Sequence, residues 1–320
     1  NKMTRYSRQE TYLGKTNQKK LQKSTVAVIG VGAIGTQTAN LLARAGINLI
    51  LIDRDTIELN NLQRQTIFDE QDINKPKTKQ ASLHLKKINS KIKITTYNKD
   101  LNNENITKLI PKTTNLILDC TDNLETRFLI NDYSLKNNIP WIYAAGIKEK
   151  AALMNIVPKK TPCFQCIFKQ PTQLETCQTS GVLNSTTSLI SSLQVSEAIK
   201  ILTNKNYSKE LINFNLKTNS FDKFKIKKRK ECQACNKHYI FLNTINPQGI
   251  LKFCSTGNYQ ILLKNVNLSQ LKKNLAKIDK IEDFKDCIKF KNMLIFKDRC
   301  LIKAKSESQA KSLISKYIGN

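Results

Sequence analysis

Thr25-Val-Ala-Val-Ile-Gly30-Val-Gly-Ala-Ile-Gly35 is the stretch that decides the fold of this 320-residue chain. A short apolar, β-branched run ends at a glycine, as a buried parallel strand does. Gly30, Gly32 and Gly35 are three of only ten glycines in the chain, and a helical pattern follows them. Ile34, Ala39, Leu41, Leu42 and Ala45 supply its apolar face, and Gly46 stands at a C-cap position. Asn48-Leu-Ile-Leu-Ile-Asp53 then reads as a second buried strand. Together these form a βαβ unit in which backbone N–H groups and a helix N-terminus can approach a phosphate. Asp53 ends the second strand about 20 residues on, where a carboxylate can take ribose hydroxyls. NAD, FAD and ATP binders share this arrangement, so the turn does not choose among them.

Working outward, the alternation continues. Lys77 to Asn89 reads as a helix opened by Pro76, Ile92 to Tyr97 as a strand, and Asn115 to Asp119 as a strand ending in an acidic turn. Leu124 to Lys136 follows as a helix and Trp141 to Ala145 as a strand. This spacing predicts an α/β fold with a doubly wound, mostly parallel, Rossmann-like sheet. From Ala151 to Val157 the pattern changes, and further strands are expected near 211–217 and 221–227. A helix through Leu189–Leu202 is expected to be capped by Ser185 or Thr186. Beyond His238 no glycine turn or metal spacing recurs. We therefore expect a nucleotide-binding domain over 1–238 and a small α+β tail over 239–320, with a strand at Met293–Phe296. A final helix is expected there, opened by a Ser306/Gln309 capping box.

The chain has no apolar run of about 18 residues, so no membrane span is expected. Its first residues are polar, without the apolar core of a secretion signal. Nine cysteines, four of them in metal-type spacing, suit a reducing cytoplasm better than a disulfide framework. The net charge of +28 is spread over scattered lysines in a chain rich in Lys, Asn and Ile, as compositional bias gives. One dense run, Lys223-Phe-Lys-Ile-Lys-Lys-Arg-Lys230, leaves an acidic protein partner as the other explanation.

Two Cys-x-x-Cys pairs, Cys163/Cys166 and Cys232/Cys235, offer four thiolates, the donor set of a closed, structural zinc clamp. After Asp53, the loop Asp53–Gln65 concentrates acids, amides and Arg64, and Lys75-Pro-Lys77 opens the next helix. Arg64 and Lys77 put positive charge where a triphosphate would extend from the glycine turn. Asp119-Cys-Thr-Asp122-Asn123 lies at the carboxyl end of a strand, where open α/β sheets bind ligands. Asp122 can hold Mg²⁺ there, or Asp122 or Asn123 can cap the following helix. Neither His84 nor His238 lies in a motif, which speaks against histidine-based catalysis.

Arg5-Tyr-Ser-Arg8-Gln9, the Gly30 turn, Asn61-Leu-Gln-Arg-Gln65, Lys75-Pro-Lys77, Asp119-Cys-Thr-Asp-Asn123 and the two cysteine pairs, taken in order, resemble the MoeB/ThiF family. These are relatives of ubiquitin-activating enzymes. The resemblance implies an ATP-dependent adenylyltransferase that activates the Gly-Gly carboxylate of a ubiquitin-like sulfur carrier, in molybdopterin or thiamine biosynthesis. It implies that Gly30, Gly32, Ala33 and Gly35 cradle the nucleotide, and that Asp53, Asn61 and Asn123 hold it. Arg64 and Lys77 would bind the phosphates, Asp122 the Mg²⁺, and Arg8 would reach in from the other subunit of a homodimer. Ala33 departs from the family pattern, which has glycine there. Cys177 stands where some members form a thioester or persulfide; a loop cysteine without a catalytic part fits as well. The ending resembles the short extension of some bacterial members, not the rhodanese domain of others.

Three rival readings remain at this level. A variant of the family would adenylate a peptide carboxylate or a tRNA base. A nicotinamide-dependent oxidoreductase would use Gly30 to Asp53 but leave Arg64, Lys77 and the cysteine pairs without a role. A basic zinc protein would bind nucleic acid through salt-sensitive phosphate contacts; sequence-specific nucleic-acid binding is not expected.

Overall fold

The computed structural model describes residues 3–168, 180–243, 251–252, 258–263, 266–284 and 286–319. Five strands follow the order set by the alternation: β1 (Thr25–Ile29), β2 (Asn48–Ile52), β3 (Ile94–Tyr97), β4 (Leu116–Asp119) and β5 (Trp141–Ile147). They pair in parallel in the order β3-β2-β1-β4-β5. Three more, β6 (Lys150–Ile156), β7 (Leu211–Asn215) and β8 (Ser220–Phe224), extend the sheet antiparallel beyond β5. The hairpin from β5 to β6 turns at Lys148, which takes a positive φ of 52°, as tight hairpins demand.

Among the helices are α1 (Ser7–Leu13), α2 (Lys15–Lys23), α3 (Ala33–Ala45), α4 (Lys77–Ile88), α5 (Ile106–Leu109), α6 (Leu124–Asn137) and α7 (Asn184–Leu202). Alternate residues of each central strand feed two separate cores, because successive side chains point to opposite faces. Val26, Val28, Leu49, Leu51 and Leu118 pack with residues of α3, α4 and α7. Ala27, Ile29, Ile50, Ile52 and Ile117 pack with Phe128 and Tyr133 of α6 and with Phe164. Helices on both faces are what made the parallel strands read as continuous apolar runs. Helix α7 starts a residue before the expected caps: its N-cap is Leu183, with no side-chain bond to the first turn. Thr186 instead donates to the Lys148 carbonyl at 3.0 Å, tying the helix start to the β5–β6 hairpin.

The glycine turn closes only because side chains are missing at two of its positions. Gly30 has φ 86°, and a Cβ there would lie 2.7 Å from the Cys120 carbonyl oxygen. A Cβ at Gly35 would lie 1.9 Å from the Gly30 carbonyl oxygen, which is backbone and cannot yield. Gly35→Ala is therefore expected to destabilise the protein by about 3 kcal/mol, the upper part of the overpacking range. Urea unfolding checks this: the midpoint should fall with the slope unchanged.

The chain divides into two compact units, Asn1–Ile245 and Asn246–Asn320. The first closes with a short helix, α8 (Ile240–Asn243). The second contains strands β9 (Leu251–Lys252), β10 (Asn258–Leu262), β11 (Ile281–Asp283), β12 (Ile288–Phe290), β13 (Met293–Ile295) and β14 (Arg299–Lys303), with helices α9 (Leu268–Leu275) and α10 (Glu307–Tyr317). Its strands form one antiparallel sheet in the order β11-β12-β13-β14-β10-β9. Leu271 and Leu275 of α9 and Ala310 and Ile314 of α10 share a core with Phe290, Met293 and Ile302. Ser306 caps α10 by accepting from the Gln309 N–H at 3.2 Å. The return bond from Gln309 goes to the Lys305 N–H, one residue earlier than a capping box places it.

Candidate active site

The order of the parallel strands reverses between β1 and β4, and at such a switch point the sheet opens a crevice at its carboxyl edge. The glycine turn leaves β1 there and the Asp119–Asn123 turn leaves β4. Gly32 differs from its neighbours: its φ is −94°, and the nearest atom to an added Cβ is the Gln65 amide nitrogen at 3.9 Å. The space beside Gly32 is thus open, and no side chain caps the N-terminus of α3. Uncapped N–H groups at the start of a 13-residue helix favour an anion. Gln65 is itself buried, with its Oε1 lacking a partner among the described residues. An open cradle, uncapped donors and an orphaned amide fit a phosphate-bearing ligand. Ala33 is the first residue of α3 and needs no positive φ, so alanine serves as well as glycine.

Asp53 holds the turn in place. It accepts from the Val31 N–H at 2.6 Å and from the Asp55 N–H at 2.7 Å. Burial pushes its carboxyl above the usual range, with nearby Lys77 opposing and Asp55 adding. Lys77 is buried at the first position of α4 and pairs with Asp55 at 3.3 Å. Burial alone would lower its ammonium, but the summed fields of Asp55, Asp53 and Asp122 outweigh that and hold it above the ordinary lysine value. Lys77 is thus a fixed cation among three carboxylates, positioned by a helix start and a strand end that the sequence separates widely.

At the end of β4 the two readings of the acidic turn separate. Asn123 is the N-cap of α6, accepting from the Thr126 N–H at 2.8 Å. Asp122 is exposed, in the field of Lys77 and Arg127. Asp119 is fully buried and bound to Arg127 Nε at 2.9 Å and to Thr121. Arg127, which no motif singles out, also stacks over Tyr143, 5.0 Å from the ring centre. An ion pair this deep is costly to break, because either partner alone would be an uncompensated buried charge.

The Asn61–Gln65 segment folds as a tight turn against the glycine loop. Asn61 accepts from the Glu58 N–H at 3.2 Å and donates to Asn60 at 2.8 Å, so its side chain serves the turn. Arg64 donates to the Asn60 carbonyl at 2.8 Å. Arg8 is exposed on α1. Cys177 lies outside the described residues. Gln194 of α7 was also missed: it is fully buried, accepts from Thr38 of α3 at 2.9 Å, and donates to the Asp119 carbonyl at 2.8 Å. It thereby joins α3 to β4, the strand bearing the acidic turn. A lone glutamine on an apolar helix face carries no signal that could have found it.

The four paired cysteines converge. Cys163 Sγ lies 3.8 Å from Cys166, 3.5 Å from Cys232 and 3.4 Å from Cys235, and Cys166 lies 3.7 Å from Cys235. Four sulfurs bound at about 2.3 Å to one tetrahedral ion are separated by about 3.8 Å. The donor set fits a closed four-thiolate metal site with no open position.

One Rossmann-like α/β sheet thus carries a dinucleotide-type turn, a lysine and carboxylate cluster and a separate four-cysteine cluster. The ThiF family model matches residues 6–235. The chain belongs to the ThiF family. It is 34% identical to the sulfur carrier protein ThiS adenylyltransferase of Bacillus subtilis (strain 168), over 98% of this chain and 99% of that protein. Identity to the Escherichia coli (strain K12) ThiS adenylyltransferase is 33%, over 72% and 94% of the two chains. The adenylyltransferase and sulfurtransferase MOCS3 of Xenopus laevis is 35% identical over 72% of this chain, which spans about half of that relative, 53%. Among solved structures, E. coli MccB with ATP superposes with TM-score 0.65 at 23% identity, over 73% of this chain and 75% of that chain. At that identity the likeness concerns the fold. Among the described residues no helix is long and apolar enough to cross a membrane.

Proposed function

We infer that this protein is an ATP-dependent adenylyltransferase that activates the C-terminal Gly-Gly carboxylate of a ubiquitin-like sulfur carrier. The observation that carries the reading is Lys77 held among Asp53, Asp55 and Asp122 beside an uncapped glycine turn. In the reaction a carboxylate oxygen of the carrier attacks the α-phosphorus of ATP. The bond to the bridging oxygen breaks, and pyrophosphate leaves with the electron pair. Such a transfer needs reactants held in line and negative charge neutralised, with little covalent help. Lys77 and Arg64 supply positive charge, the glycine turn supplies N–H donors, and Asp53 holds the nucleotide, with Asn61 bracing the turn that carries Arg64. Asp122 would bind Mg²⁺, which neutralises polyphosphate charge when present. The near full-length match to a ThiS adenylyltransferase supports a ThiS-like carrier first and a MoaD-like one second. Intact-mass measurement after incubation with ATP should show the carrier gaining one AMP, and a carrier lacking its last glycine gaining none. No AMP transfer to either carrier class would refute the assignment.

Gly32→Val is expected to leave the fold intact, since the space beside it is open, yet to fill the place a phosphate would occupy. ATP affinity measured by calorimetry should fall at least about tenfold, a loss of about 1.4 kcal/mol. Unchanged affinity would remove the turn from the binding site.

The active form is proposed to be a homodimer in which Arg8 completes the partner's pocket. Arg8→Ala and Lys77→Met should each be inactive alone. Mixed and re-equilibrated, they should regain activity, because a mixed dimer holds one pocket with both cations. No recovery would mean that Arg8 does not act across subunits. The four cysteines are proposed to hold structural Zn²⁺. Cys177 is left as a candidate for a covalent step that adenylation itself does not need.

A further inference from the structure

The basic run 223–230 takes no part in the nucleotide pocket, yet one of its residues reaches into the metal clamp. The Arg229 guanidinium donates through Nη2 to the Gln165 carbonyl at 2.6 Å, between Cys163 and Cys166. The Arg229 carbonyl accepts from the Cys232 N–H at 3.2 Å, inside the second pair. One residue therefore fastens both halves of the clamp, through its guanidinium and through its carbonyl. Arg229 is half-buried; its Nε is buried and has no hydrogen-bond partner among the described residues, and among them no carboxylate pairs with the guanidinium. A cation in that position is costly unless negative charge lies close by. Four thiolates around one divalent ion carry about two negative charges.

We propose that Arg229 is the outer-shell residue of the four-cysteine centre, orienting both cysteine pairs and compensating the charge of the metal-bound thiolates. This rests on the reading of the clamp as a zinc site and assigns one residue of the basic run a definite task. Lys227 and Lys228 of the same run are exposed, and Lys228 donates to the Lys159 carbonyl at 3.4 Å. They serve as a control for charge alone.

The test uses purified full-length protein and a chromogenic zinc chelator, with metal content measured first. Arg229→Gln should release zinc about 10- to 100-fold faster than wild type, the usual effect of removing an outer-shell partner. Arg229→Lys, which keeps the charge but not the fork, should fall between them. The double variant Lys227→Gln/Lys228→Gln should release zinc at the wild-type rate. Release from Arg229→Gln at the wild-type rate would overturn the proposal. So would an equal acceleration in the lysine double variant, which would make the effect one of diffuse charge. Should Arg229→Gln fail to fold, the Arg229→Lys rate decides: faster than wild type supports the role, equal to it overturns it. Wild-type protein purified without bound metal would overturn the clamp itself, and that result is distinct from any change caused by Arg229.

Discussion

Replacing Lys77 by methionine should lower ATP-dependent adenylation about 10³-fold while the protein stays folded. Methionine matches the unbranched stem of lysine and removes only the charge. Lys77 is the fixed cation of the pocket, buried at the start of α4 and raised above the ordinary lysine value by the three acids around it. It stays charged at any pH at which the enzyme would be assayed, so its effect should not titrate near neutrality. Removing one preorganised group that stabilises developing charge costs about 10² to 10³ in rate. Here the loss should lie at the upper end, because Lys77 is the cation set closest among Asp53 and Asp55, and without it those carboxylates repel incoming phosphates more strongly. Lys77→Arg keeps the charge but changes its shape, and should retain more activity than Lys77→Met. Activity within tenfold of wild type in Lys77→Met, with ATP binding unchanged, would exclude Lys77 from the phosphate site.

Loss of the metal should have the largest effect on stability. Cys163 and Cys232 are fully buried, and the sulfurs of the four cysteines face one another. Without an ion, that arrangement crowds four sulfur atoms against one another. Structural zinc contributes about 10 kcal/mol of binding free energy in small domains. If only about a third of that is retained as folding free energy here, chelation should lower Tm by roughly 10 °C, at 2–4 °C per kcal/mol for a unit of this size. Cys232→Ser should behave like the stripped protein. The site closes chain segments far apart in sequence, so the loss should appear as cooperative melting of the whole first unit. A melting curve unmoved by complete removal of metal would show that the cysteines have no structural task.

The sequence made legible what depends on short-range rules. The glycine turn, Asp53 at the end of β2, the helix start at Lys77 and both cysteine pairs follow from steric, capping and ligand-spacing constraints that act within a few residues. Of the antiparallel strands, β7 and β8 read as strands while β6 shows only as a change of pattern at Ala151, and their direction depends on the tight turn at Lys148 and on pairing across the long segment that carries the first cysteine pair. Helices α1 and α2 went unread because α1 buries no residue of its own and α2 buries only Gln18 and Leu21. An apolar period therefore hardly shows. In the second unit, strands of two to five residues leave too little alternation to separate from loop.

In the pocket, the readings that needed long-range contact were the ones left open. Asn123 rather than Asp122 took the N-cap, and only the fold decides that, since both residue types cap helices well. Arg127 and Gln194 shape the crevice through buried partners 8 and 156 residues away, Asp119 and Thr38. Nothing in their immediate sequence surroundings distinguishes such residues from ordinary members of a helix.

The central claim, that the Gly30 crevice drives a carrier's terminal carboxylate onto the α-phosphorus of ATP, is tested most directly by exchange of labelled pyrophosphate into ATP. Exchange should require both Mg²⁺ and a carrier with an intact Gly-Gly end, and should vanish in Lys77→Met. Absence of exchange with both ThiS-like and MoaD-like carriers, in metal-replete protein that binds ATP, would contradict it.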